Sequence, residues 1–220
     1  MWIGIAGSVR SGDELSKKRE GGKLDFVEYG CHLGGGSGKI AGGTFFCEVS
    51  SEIPLPIRLG YDTPKTLGVD RIAGCVGGAF LFPGRELLVI DSGTAITYDF
   101  VSADGEFRGG NISPGLGIRF RALNEFTASL PLVKCSMEHG YVGKNTHDAI
   151  LNGVMNGILF EVRGYIDELL RNNPFAVVII TGGGSEYLKK NLKRTVFFED
   201  KLVITGLNRI LEYQKTVNYT

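Results

Sequence analysis

The chain has 220 residues, enough for one large or two small domains, and its 43% apolar content suits a packed globular protein. Lysine plus arginine equals aspartate plus glutamate at 24 each, so no global field favours nucleic acid or an anionic membrane surface as a partner. Cys31, Cys47, Cys75 and Cys135 are too scattered for a zinc site, and no apolar run reaches the roughly 20 residues of a membrane span, so a cytoplasmic protein with reduced thiols is expected.

Glycine crowds the start of the chain, at Gly21-Gly22 and through residues 34–43, where regular structure is not expected. Gly38-Lys39 invites a P-loop reading, but Leu33 stands where the first glycine belongs and Ile40 where Ser or Thr belongs. Residues 45–49 then read as a strand and 54–59, bracketed by Pro54 and Pro56, as an extended sheet edge. Residues 66–81 are small and apolar, predicting a helix whose glycines admit a close neighbour, and Pro83-Gly84 stops it. A meander follows, with strands over 87–90, 95–101 and 107–112 and a tight turn at Ala103-Asp104-Gly105. Pro114-Gly115 opens a helix through Phe126. The longest periodic segment begins at Thr146, read as the N-cap, with Asp148 in the first turn. Its stripe is Ile150, Leu151, Val154, Ile158, Val162, Ile166, Leu169 and Leu170. After Asn172-Asn173-Pro174, residues 176–180 are β-branched enough for a buried strand, and Ser185 is placed to cap a helix through Leu192.

Three segments carry chemistry. The strand 87–90 runs into Asp91-Ser92-Gly93-Thr94, which sets a carboxylate at a sheet edge, a glycine that admits an anion to the backbone, and a hydroxyl. Asp91 repels a phosphate unless a cation or water lies between them; the same pattern also makes a plain hairpin. In Thr181-Gly182-Gly183-Gly184 the glycines precede a helix, where free N–H groups favour phosphate or ribose oxygens, although a simple connection between strand and helix reads the same way. In Gly68-Val69-Asp70-Arg71 a guanidinium could clamp a substrate carboxylate and Asp70 could take a proton from a hydroxyl; the bland alternative is a surface ion pair. His32, His139 and His147 have no partner spacing for a metal or a triad.

Taken in order, Tyr61-x-x-Pro64-x-x-Leu67-Gly68-x-Asp70-Arg71, Asp91-Ser-Gly-Thr94-Ala-x-Thr97, Gly109-Gly-x-Ile-x-Pro114-Gly, Leu130-Pro131, Thr146 and Thr181-Gly182-Gly183 resemble the type III pantothenate kinases from about Pro54 onward. The resemblance implies an α/β protein of two ribonuclease H-like, actin-like ATPase halves, divided here as 1–82 and 83–220, with the first half incomplete. It implies a homodimer that phosphorylates pantothenate with ATP at the first step of coenzyme A biosynthesis. By position, Asp70 resembles the base, and Tyr61, Gly68, Val69, Arg71 and Thr146 resemble the pantothenate contacts, Thr146 from near the dimer interface. Thr94, with Gly93, Gly182 and Gly183, resembles the ATP set, and Asp91 resembles the ligand of a monovalent cation, K⁺ or NH₄⁺. Mg²⁺ is expected to be held mainly by phosphates and water.

The family's opening Asp-x-Gly-Asn-Thr turn, which cradles ATP phosphates, is absent from the 220 residues, and Met1–Val9 instead resembles a later family strand. Weak or absent kinase activity is therefore expected, in a truncated or frame-disrupted gene product. A non-catalytic binding or transcription-accessory protein on the same fold is the alternative. Another sugar-type kinase is disfavoured by the Gly68-Val69-Asp70-Arg71 block.

Overall fold

The computed structural model describes residues 4–8, 39–40 and 44–218. The P-loop-like segment falls almost wholly outside them, as do Cys31 and His32. Three strands, β1 (Gly4–Ser8), β2 (Lys39–Ile40) and β3 (Thr44–Glu48), form a small antiparallel sheet in the order β1-β3-β2.

The main sheet has six strands in the order β4-β7-β6-β5-β8-β9. They are β4 (Arg58–Leu59), β5 (Leu87–Ser92), β6 (Ala95–Val101), β7 (Glu106–Pro114), β8 (Val177–Thr181) and β9 (Phe197–Phe198). Strands β5, β6 and β7 form the expected antiparallel meander, while β8 lies parallel to β5 and β9 parallel to β8. One antiparallel strand flanked by that arrangement, with helical crossovers, is the ribonuclease H-like pattern of an actin-like ATPase half. The extended edge shrinks to the two residues of β4, paired parallel to β7. Pro54 and Pro56 lack the N–H a longer ladder needs.

Alternation along the strands assigns the two faces. Leu88, Ile90, Ile96 and Tyr98 point to one face and are covered by α3 (Thr146–Asn172), together with Phe120 of α2 (Leu116–Glu125) and Leu188 of α4 (Ser185–Asn191). Along α3 the predicted stripe is buried from Ile150 to Leu169, with Leu170 partly buried. Its six residues Ile150, Val154, Ile158, Val162, Ile166 and Leu169 contribute on the order of 10 kcal/mol of apolar burial, most of it offset by chain entropy. Leu87, Val89 and Val101 point to the opposite face, covered by α1 (Val69–Leu81) and α5 (Leu202–Asn218). A Cβ on Gly77 of α1 would lie 2.4 Å from Leu202 O, and one on Gly206 of α5 would lie 1.7 Å from Ala73 O, so small residues bring the helices backbone to backbone. That is the close approach the glycine-rich sequence of α1 predicts. The division between residues 82 and 83 falls between α1 and the sheet on which α1 packs.

Two predicted caps are displaced by one residue. Asn145, not Thr146, caps α3: its side chain accepts from Asp148 N at 2.8 Å, and Thr146 is the first helical residue. Gly184 precedes α4, and Ser185, already helical, donates its hydroxyl to Asp200 at 3.4 Å. Residues 64–66 form a short 3₁₀ turn instead of the first turn of α1, because Pro64 fixes φ and Gly68 breaks the run.

Candidate active site

The carboxyl ends of β5 and β8 meet the N-terminus of α1, and a cavity of about 350 Å³ opens between them. Ligand sites in open α/β sheets gather at such strand ends. Alternation fills the cavity wall: Asp91 follows Leu87 and Val89 on the α1 face, while Thr97 and Asp99 precede Val101 on the same face. Asp70 and Arg71 enter from the first turn of α1, and Gly93, Thr94 and Thr181 also line the cavity. Asp70, Arg71, Asp91, Gly93 and Thr94, which lie in two separate motifs of the sequence, are thus brought into one cavity.

Arg71 is almost fully buried, its side chain 7% exposed, and its Nε donates to Asp99 Oδ1 at 2.9 Å while Nη2 donates to the same oxygen. The surface-pair reading of Arg71 is therefore set aside. The partner is Asp99, 28 residues on and itself 1% exposed, rather than the adjacent Asp70. Tyr61 and Phe107 flank the guanidinium, with ring centroids 5.9 and 5.6 Å from its carbon, and they meet each other edge to face at 5.7 Å. Removing one partner of so buried a pair costs roughly 3–5 kcal/mol, because the other charge is left uncompensated. Burial pulls Arg71 toward a lower pKa, but the hydrogen bonds and charge of Asp99, with Tyr61, together leave it raised. Burial raises Asp99 above the usual carboxylate range, with Arg71 opposing the rise. Asp91 is also raised, first by burial and then by the charges of Asp70 and Asp99.

Three carboxyl groups, Asp70, Asp91 and Asp99, thus share a cavity with one guanidinium and outnumber it. A cation fits that excess. Among the described residues no group of three or more His, Cys, Asp or Glu side chains is arranged to hold a metal.

The glycine turns are tied together. Gly93 N donates to Ala95 O at 3.0 Å, so that N–H is spent inside the turn, and Gly115 N donates to Thr94 O at 3.0 Å. Gly184 N donates to Ser92 O at 2.7 Å, drawing the turn after β8 against the Asp91 turn. A neighbouring cavity of about 510 Å³ shares Gly93 and Thr94 and adds Arg121, Gly183 and Gly184. Gly68 and Val69 line a different recess, of about 440 Å³, with Ser50, Glu52 and Lys65. Thr146 is not brought to the Asp70 cavity. It lies in a broad groove of about 1040 Å³ between α2 and α3, with Arg119, Leu123, Phe126 and Leu130. His139, read as an ordinary histidine, contacts the Tyr187 hydroxyl at 3.2 Å.

Sequence reasoning passed over Asp99. The one signal is alternation: along Thr97-Tyr98-Asp99-Phe100-Val101 it puts the acid on the face of Val101, which is buried.

A ribonuclease H-like sheet with an acidic cleft at its strand ends defines a protein of the actin-like ATPase fold. A solved structure from Campylobacter jejuni, described as a conserved Baf family transcriptional activator, shares this fold with a TM-score of 0.50 at 24% identity, over 69% of this chain and 67% of that one. A profile described as type III pantothenate kinase matches residues 40–168. A type III pantothenate kinase of Phocaeicola vulgatus is 48% identical over 166 residues, 76% of this chain and 69% of the relative. One from Porphyromonas gingivalis is 48% identical over 168 residues, 75% and 68% of the two chains. The chain belongs to the type III pantothenate kinase family.

Proposed function

We propose that this chain transfers the γ-phosphoryl group of ATP to the primary hydroxyl of pantothenate, giving 4'-phosphopantothenate at the first step of coenzyme A biosynthesis. The observation that carries the reading is the convergence of Asp70, Arg71, Asp91 and Thr94 on one cavity. Asp70 takes the proton of the attacking hydroxyl. The new bond forms from that oxygen to the γ-phosphorus, the bond to the β–γ bridging oxygen breaks, and ADP leaves with the electron pair. Most of the acceleration comes from alignment, to which the buried Arg71 and the linked glycine turns contribute by holding the reactants still.

Pantothenate is an anion, and it is assigned to Arg71 with Tyr61 beside it, together with Gly68 and Val69, which line the separate recess just before Arg71 in the chain. ATP is assigned to the adjoining cavity, with Thr94, Gly93 and Gly183 on its wall and Gly182 behind Asp91. Asp91 would hold K⁺ or NH₄⁺, and Mg²⁺ would ride on the phosphates; such cations neutralise phosphate charge. Thr146 acts from the α2–α3 groove, which we assign to a homodimer contact: Phe126 on its rim is 84% exposed. Among the described residues no helix is long and apolar enough to cross a membrane, and a cytoplasmic site of action is proposed.

The test is Asp70→Asn, followed by transfer of radiolabelled γ-phosphate to pantothenate and by calorimetry. Turnover should fall by about 10²- to 10⁴-fold while pantothenate still binds. Unchanged turnover would remove Asp70 as the base, and a wild-type chain that neither binds nor phosphorylates pantothenate would overturn the whole reading.

A further inference from the structure

The Arg71–Asp99 pair sits in a slot built for it. Asp99 of β6 stands opposite Gly110 of β7 in the antiparallel register. A Cβ on Gly110 would lie 2.2 Å from Tyr98 O, 2.5 Å from Asp99 Oδ1 and 2.7 Å from Arg71 Nη2. The second glycine of the Gly109-Gly110 motif therefore leaves the room into which the guanidinium and carboxylate fit. Tyr61 and Phe107 close the sides of the slot.

Two Arg71 nitrogens converge on a single oxygen of Asp99, which fixes the plane of the guanidinium. Arg71 nevertheless lines the cavity with Asp70 and Asp91. Asp70 Oδ1 accepts from Arg71 N at 2.9 Å, so the backbone of the arginine also fixes the neighbouring acid. A free arginine carries several rotatable bonds and would reach toward any of the carboxylates in the cavity. Tethering it to one buried acid removes that choice.

We propose that Asp99 is a positioning residue for the acceptor substrate: from the slot opposite Gly110 it holds Arg71 in the orientation in which the guanidinium receives the pantothenate carboxylate. This rests on the functional reading above. Asp99 lines the same cavity but acts through Arg71, to which its carboxylate is bonded. Gly110 belongs to the same device, because any side chain there displaces both members of the pair.

The experiment is calorimetric titration of the purified chain with pantothenate and, separately, with a non-hydrolysable ATP analogue plus Mg²⁺ and K⁺, for wild type and Asp99→Asn. The asparagine keeps the shape and an acceptor but loses the charge that holds the fork. The dissociation constant for pantothenate should rise about tenfold or more, with that for the ATP analogue changed less than about twofold. Residual phosphoryl transfer should show the same split, in pantothenate KM rather than in kcat. A uniform weakening of both ligands would mark a merely structural residue and overturn the proposal, as would unchanged pantothenate binding. Should Asp99→Asn not fold, Asp99→Glu keeps the charge while displacing the guanidinium, and it carries the same expected split and the same refutations. A wild type that binds the ATP analogue but not pantothenate would overturn the functional reading together with this inference. A wild type that binds pantothenate beside an insensitive Asp99 variant would overturn the inference alone.

Discussion

Gly182 holds the turn after β8 against Asp91, and replacing it with alanine strains the molecule in two separable ways. Its φ is +88°, a left-handed conformation that costs a residue with a Cβ about 1–3 kcal/mol. The added carbon would also stand 2.3 Å from Asp91 Oδ1 and 2.8 Å from the backbone N and C of Ser92. Ordinary contact begins at 3.4 Å, so the carboxylate must retreat by about 1 Å, and the Ser92 backbone, paired with Ile96 at the end of β5, is poorly placed to do so. Overpacking of that kind adds about 1–3 kcal/mol, for a total of roughly 2–6 kcal/mol. In a chain of this size that lowers the melting temperature by about 4–24 °C. Gly183→Ala is the internal control: nothing lies within 4 Å of its added Cβ and its φ is not positive, so it should change stability by less than about 0.5 kcal/mol. Thermal unfolding followed by circular dichroism measures both. Because Asp91 is displaced, Gly182→Ala should also weaken K⁺-dependent binding of the ATP analogue. If it melts within about 3 °C of both wild type and Gly183→Ala, the close packing of this turn on Asp91 is wrong.

Asp91 itself should reveal its environment through pH. Its folded pKa lies above the unfolded value, so its contribution is favourable at acid pH and is lost as pH rises through the folded value. At neutral pH the charged carboxylate opposes folding of the unliganded chain. Asp91→Asn should therefore melt higher than wild type at about pH 7, with the gap closing as pH falls toward about 4; a variant less stable at neutral pH refutes the electrostatic account. Asn145→Ala should cost about 1 kcal/mol by removing the α3 cap, while Thr146→Ala should change stability by less than about 0.5 kcal/mol; urea titration of the pair would expose a reversed order.

Much of the scaffold was legible because it rests on local rules. The alternation in β5 and β6, the 3.6-residue stripe of α3 and the β-branched run of β8 each carry their own period. Asn145 and Thr146 could each cap α3, and only the observed hydrogen bond chooses Asn145, whereas α4 starts at Ser185 after Gly184 with no side-chain cap bond at all. The motifs gave Asp70, Asp91 and Thr94 as candidates, but not that they share a cavity, nor that Thr146 lies in a separate groove.

By itself the sequence determined the strand and helix periods, the glycine turns and the acids and hydroxyls at the ends of the elements, since these depend on neighbours a few residues away. Only the tertiary structure decided the partner of Arg71. A buried guanidinium takes the carboxylate that the sheet register and the packing of α1 bring within reach, and that is Asp99 across the fold, not the Asp70 next to it in the chain.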